Sequence, residues 1–181
     1  MKIWHLIKLI LYITLGTLVF IFNEFCLENV GYVVATLMIL YATEDIVLSI
    51  IDGILKEETK VFSALIEIVL AIVMAVLPKD AFTSKLIMWA VWSITRESKE
   101  ITECVLRFKE KKFAFLNLAE SLIITYFSVT MILNPTEHHA HTHVFLLGVE
   151  LYTNVLFYYF YGFLDKKFSH EKKDDNEVKE S

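Results

Sequence analysis

Five glutamates, Glu44, Glu67, Glu97, Glu120 and Glu150, stand inside long apolar stretches of this 181-residue chain. Carboxylates in such surroundings hold helices together by hydrogen bonding, pair with buried bases, or carry protons. Asp45, next to Glu44, is a sixth acid of the same kind, and Arg96 is the deepest base, with Lys99 as a second. One or two positive charges do not balance six ionised carboxylates where the dielectric is low. The expectation is therefore a buried polar network of Glu44, Asp45, Glu67, Arg96, Glu97, Glu120 and Glu150 in which several acids keep their protons. At 100° per residue Arg96, Lys99, Glu100, Glu103 and Arg107 share one helical stripe, continued by Trp89 and Trp92. Arg96 reaches either Glu100 one turn away or a carboxylate on a neighbouring helix.

A second concentration of chemistry is His138, His139, His141 and His143, next to Glu137. Imidazoles this close together can bind Zn²⁺, Ni²⁺ or Cu²⁺. The spacing is not that of a closed structural site and no Cys accompanies it, so the plainer expectation is a solvated outer loop. Catalytic motifs do not appear: there is no Gly-x-Ser-x-Gly elbow, phosphate loop, dinucleotide fingerprint or His-Glu-x-x-His helix. Cys104 lies among Glu100, Glu103 and Arg107 with no His nearby, which does not favour a reactive thiolate. The expectation is a non-enzymatic protein that needs no cofactor.

The elements that position these residues follow from composition. The chain is 56% hydrophobic with mean hydropathy +0.53, which is too apolar for an ordinary soluble domain. Of its 39 charged residues, 11 fall in the last 17 positions, so the body is more apolar than the average suggests. Runs long enough to cross a bilayer, about 20 residues, lie at roughly 4–23, 30–53, 61–78, 83–107, 113–134 and 142–164. The reading is an all-α bundle of six transmembrane helices over residues 1–164, followed by a polar, disordered cytoplasmic tail at 165–181. Basic residues, among them Lys2, Lys8, Lys56, Lys60, Arg107 and Lys109, flank the even connections and both termini, against only Lys79 and Lys85 on the other side. The positive-inside rule then puts both termini in the cytoplasm and the chain in the cell membrane. Cys26 and Cys104 fall near opposite sides and cannot join in a disulfide. The net charge of −5, with no basic patch, excludes a nucleic-acid partner. The lipid bilayer is the partner expected, and self-association is compatible with such a body.

An internal repeat organises the helices. Glu44, Glu97 and Glu150 are 53 apart, as are Glu67 and Glu120. Three hairpins, about 5–57, 58–110 and 111–165, are expected around a pseudo-threefold axis along the membrane normal. A two-helix unit present three times, with Pro closing its first helix in Leu77-Pro78 and Asn134-Pro135, resembles the HdeD-like family of short-repeat bacterial membrane proteins. The likeness is closest in Asn117-Leu118-Ala119-Glu120 and Leu147-Gly148-Val149-Glu150-Leu151, and covers about residues 5 to 165. It implies a small inner-membrane protein acting in acid or envelope stress. The alternative, from the intramembrane acids alone, is a proton-linked carrier or channel past Glu44, Glu67, Glu97, Glu120 and Glu150.

Overall fold

The computed structural model describes the backbone of residues 2–51, 58–109 and 114–179, and side chains within 6–157 and at 160 outside the intervals 48, 51–60 and 110–113. Every described element is a helix: α1 (Lys2–Ile21), α2 (Asn23–Glu28), α3 (Val30–Ile51), α4 (Glu58–Val76), α5 (Phe82–Lys109), α6 (Phe115–Leu133) and α7 (Glu137–Lys179). The six long helices fall on the six apolar runs. The short α2 was not expected. It turns the segment after α1 into one more helical stretch, burying Cys26.

Helix ends follow local chemistry. Pro78 and Pro135 cannot continue a helix, and α4 and α6 stop just before them. The turn Asn134-Pro135-Thr136 then starts α7 at once: the His139 amide donates to the Thr136 hydroxyl, 3.4 Å, which caps the first turn. Many hydroxyls along the apolar helices are satisfied within their own helix. Thr14, Thr17, Thr36, Thr43, Thr95, Ser98 and Ser128 each donate to the carbonyl four residues back, so these residues need no water. Beyond Gly162 the sequence has neither Gly nor Pro, and α7 continues as helix through the polar segment to Lys179, where disorder was expected. Of the side chains there nothing is described.

The closest packing is α3 along α4, α5 along α6, and α7 along α1. These are contacts between successive hairpins, whereas α4 and α5, joined by a short turn, touch only briefly. The α1–α7 pair closes the arrangement through glycines: a Cβ on Gly16 would sit 3.0 Å from the Tyr152 ring, and one on Gly148 would sit 3.0 Å from Phe20. Phe20 and Tyr152 stack with centroids 5.7 Å apart, and the Thr17 and Tyr152 hydroxyls bond at 2.6 Å.

Buried positions recur on a different step from the glutamates. On α3, α5 and α7 the inward positions recur as Val34/Trp89/His143, Ala35/Ala90/Val144, Met38/Ser93/Leu147, Tyr41/Arg96/Glu150 and Ala42/Glu97/Leu151, a step of 55 and then 54. On α1, α4 and α6 they recur as Leu9/Ala64/Ser121, Tyr12/Glu67/Ile124, Gly16/Ala71/Ser128 and Val19/Met74/Met131, a step of 55 and then 57. The step of 53 between glutamates matched residues of one type rather than positions of one kind. Glu44, Glu97 and Glu150 therefore do not occupy corresponding places, nor do Glu67 and Glu120.

The outward surface is apolar. On α4, Phe62, Leu65, Ile66, Val69, Ile72, Val73 and Val76 are exposed, and α1 and α6 carry similar rows. Windows long and apolar enough to cross a bilayer occur in two helices, Val30–Val47 and Phe115–Leu133. Only 22% of the second is buried within the chain, which is not the pattern of a soluble core helix. Shorter apolar stretches cover Leu6–Ile21 and Val61–Val76.

A buried layer of charge as the candidate functional site

The three inner helices meet at one polar layer. Arg96 on α5 pairs with Glu150 on α7, Nη1 to Oε1 at 2.5 Å. Its guanidinium lies over the Tyr41 ring of α3, 3.4 Å from the centroid, and 5.8 Å from that of Trp92. The Tyr41 hydroxyl donates to the same Glu150 oxygen at 3.3 Å. Tyr41, Arg96 and Glu150 are corresponding positions by the burial repeat, so one aromatic, one base and one acid close the centre. The ring face and the carboxylate together delocalise and neutralise the guanidinium charge. The Trp92 indole N–H, buried beside this layer, has no protein partner among the described residues.

Around the centre, each hairpin has its own clamp. In the first, Lys8 and Tyr12, one turn apart on α1, both bind Glu44 on α3; the Tyr12 hydroxyl donates to Oε2 at 2.6 Å, and the Lys8 ammonium pairs with Oε1. In the second, Ser63 and Glu67, one turn apart on α4, both bind Lys99 on α5, whose ammonium lies 3.2 Å from Glu67 Oε1 and bonds the Ser63 hydroxyl. In the third, Glu120 on α6 bonds the Thr153 hydroxyl on α7. The positions correspond: Lys8, Ser63 and Glu120; Tyr12, Glu67 and Ile124; Glu44, Lys99 and Thr153. One place in the fold thus holds an acid received by a base, a base received by an acid, and an acid received by a hydroxyl.

The remaining expected members lie at the interfaces between hairpins. Glu97, buried on α5, lies within electrostatic reach of Glu150 and Arg96 and near Ser121 of α6, which is also buried. Glu100 accepts from Asn117 Nδ2 at 2.9 Å. Asp45, half-buried on α3, lies within electrostatic reach of Glu67 and Lys99. The network of Glu44, Asp45, Glu67, Arg96, Glu97, Glu120 and Glu150 is thus gathered at one level of the bundle, but in separate pairs. Arg96 takes a neighbouring carboxylate, and Glu100 binds Asn117 instead.

Several participants were not anticipated. Lys8 was read as a cytoplasmic flank and is instead the counter-charge of Glu44. Its place inside an apolar run, one turn before Tyr12, was the available clue. Tyr12 and Tyr41, both buried with ring centroids 5.8 Å apart, join the first clamp to the centre. Thr14 and Thr43, close in sequence to Tyr12 and Glu44, bond their own helices instead.

The histidines are not a solvated loop. They occupy the first turns of α7 and are shared among separate partners. His139 Nδ1 meets the Asn134 carbonyl at 2.7 Å, His141 Nε2 meets Glu24 at 3.0 Å, and His143 turns inward against Trp89, centroids 5.0 Å apart. No three of the described His, Cys, Asp and Glu residues gather as a metal-holding group. His143 Nε2 also lies 3.2 Å from the Ser128 hydroxyl. That pair has the residue types of a nucleophile and its base, but both are enclosed and Ser128 donates to the Ile124 carbonyl at 2.8 Å, as a structural helix hydroxyl does. Cys26 and Cys104 are both free and buried.

The chain matches no protein-family model, no curated protein sequence and no solved structure.

Proposed function

We propose that the chain is a small, non-enzymatic, six-span protein of the cell membrane, built from three hairpins about a pseudo-threefold axis, with both termini cytoplasmic. In this reading it acts in acid or envelope stress in the manner of the HdeD-like proteins it resembles. The observation that carries the membrane reading is inverted polarity. Exposed faces of α1, α4 and α6 are rows of Leu, Ile, Val and Phe, while Lys8, Glu44, Glu67, Arg96, Glu97, Glu120 and Glu150 turn inward. Water would penalise those outer faces and lipid would penalise outward charges, so the arrangement suits lipid. The central layer lies 11 to 14 residues into α3, α5 and α7, which is roughly 16–21 Å along each helix and the middle of a bilayer core of about 30 Å. Three things support the axis: the corresponding clamps, the meeting of Tyr41, Arg96 and Glu150, and the cyclic packing of α3 on α4, α5 on α6 and α7 on α1.

Single-cysteine labelling tests the topology. Ser181→Cys and Lys112→Cys are expected to resist an impermeant thiol reagent applied to intact cells and to react after lysis; reaction from outside refutes it. The stress role is tested by survival of a deletion strain after acid challenge, which is expected to fall. The Lys8–Glu44–Tyr12 cluster, adjacent to Tyr41 and Glu150, favours a second reading as a proton-linked carrier. Proton flux into liposomes holding the purified protein, above that of empty liposomes, is the result that selects it.

A further inference from the structure

We propose that the third clamp is a proton-binding site: Glu120 holds one hydrogen against Thr153, where the other two clamps hold a lysine ammonium. This rests on the membrane and threefold reading above. In the first two clamps an acid and an ammonium meet across the two helices of the hairpin, Lys8 with Glu44 and Glu67 with Lys99, and the charge of the clamp closes. In the third, the corresponding positions are Glu120, Ile124 and Thr153, and no basic side chain among the described residues pairs with Glu120.

Neighbouring elements do not supply one. From α5, the charged groups facing this region are Glu97, Glu100 and Arg96, and from α7, Glu150. Arg96 is already engaged by Glu150. An ionised Glu120 would add a further negative charge without a base among neighbouring acids, at a depth where an unpaired charge is disfavoured.

Hydrogen counting identifies the occupant. The Thr153 hydroxyl bonds Glu120 Oε1 and lies 3.0 Å from the Glu150 carbonyl and 3.1 Å from the Val149 carbonyl. It has one hydrogen to give. If Glu120 is ionised, that hydrogen goes to Glu120 and the helix carbonyls lose it. If Glu120 is a carboxylic acid, it donates to Thr153 while Thr153 donates to its own helix, and every contact is satisfied. Direct bonding between Glu120 and Thr153 leaves no space for a metal ion between them, so the monovalent cation of the third clamp is a proton. Its binding joins α6 to α7, and its release leaves a charge that must hydrate or find a base.

Infrared difference spectroscopy on the full chain in lipid vesicles at pH 7 reads this directly. The expected result is a carbonyl band of a protonated carboxyl that is lost in Glu120→Gln and retained in Glu67→Gln. Gln keeps the hydrogen bond to Thr153, so the variant should fold. Thr153→Val, which removes the acceptor, is expected to shift the band rather than abolish it, and so provides a second readout if Glu120→Gln does not fold. Absence of the band, its survival in Glu120→Gln, an unshifted band in Thr153→Val, or its loss on adding sodium or lithium chloride at constant pH overturns the proposal. Cysteine labelling on the same preparation separates this failure from a failure of the six-span reading.

Discussion

The central layer and the peripheral clamps solve the same problem, charge inside an apolar body, with different degrees of enclosure. At the centre, Arg96, 22% exposed, is held by Glu150 and covered by Tyr41 and Trp92, which makes it the most enclosed of the three bases. In the clamps, one partner keeps access to the surface: the Lys99 side chain is 44% exposed and that of Lys8 is 32% exposed, while their acids are nearly enclosed. Arg96 is packed between two rings and Glu150, so it has less freedom to turn outward than either lysine if its partner is lost. The energetic weight of the charge layer is therefore expected at the Arg96–Glu150 pair, although most of its ionised groups lie around it.

The largest effect is accordingly expected from Arg96→Ala or Glu150→Leu alone. Each leaves an unpaired charge in the layer, and breaking a buried pair this way costs about 3–5 kcal/mol. Unfolding in mixed detergent micelles measures it. Arg96→Met with Glu150→Met removes both charges, and is expected to recover most of that loss. If the double variant is as unstable as the singles, the centre depends on the ion pair itself and enclosure is not the reason.

Next comes the first clamp, where two donors converge on one acid. Glu44→Ala releases both the Tyr12 hydroxyl and the Lys8 ammonium, and hydrogen bonds to charged groups are each worth about 1.5–3 kcal/mol. Lys8 regains water, so the expected loss is near one such bond, below that at Arg96. Exchanging the pair, Lys8→Glu with Glu44→Lys, copies the polarity of the second clamp and is expected to be closer to wild type than Glu44→Ala in the same unfolding measurement. A weaker effect still is expected from Lys99→Met, because its ammonium, 44% exposed, is the least enclosed of the three bases, although Glu67 loses its ion partner. Similar losses at Arg96 and Lys99 would remove the distinction between centre and periphery.

Much of this arrangement could be read from the residues. Apolar runs located six helices, five of them to within a few positions, while α7 starts earlier and continues well past its run; Pro78 and Pro135 marked two ends, and acids inside apolar runs were expected to face inward. The register of the repeat was not legible, since matching Glu to Glu assumes that corresponding places keep the same side chain. Here Tyr41, Arg96 and Glu150 share a place, as do Glu44, Lys99 and Thr153, and only burial reveals it. Lys8 was misplaced for a related reason: a base near a helix end satisfies the positive-inside pattern whether it points to water or to Glu44. His143 was assigned to an outer loop together with its neighbouring histidines, but Thr136 caps α7 immediately and helical rotation then carries His143 into the interior.

The smallest expected effect tests whether the three clamps are equivalent at all. Thr153→Lys places at the third clamp the residue that stands at the second, with an ammonium able to reach Glu120. Two opposing changes follow. The ion pair replaces a neutral contact and removes the need for a hydrogen on Glu120, while the larger side chain loses rotamer freedom and must be partly dehydrated. These nearly cancel, so stability is expected to stay within about 1 kcal/mol of wild type. Thr153→Leu has a similar bulk without the charge, and leaves the Glu120 carboxyl with no acceptor across the clamp; a buried donor stripped in this way costs about 1–3 kcal/mol. Side by side in the detergent unfolding measurement, the lysine variant should therefore be the more stable of the two, and its spectrum should lack the protonated-carboxyl band. If lysine destabilises as much as leucine, position 153 does not share the environment of position 99. The recurrence of contacts at Glu44, Lys99 and Thr153 would then be coincidental, and the clamps would have to be treated as three unrelated sites.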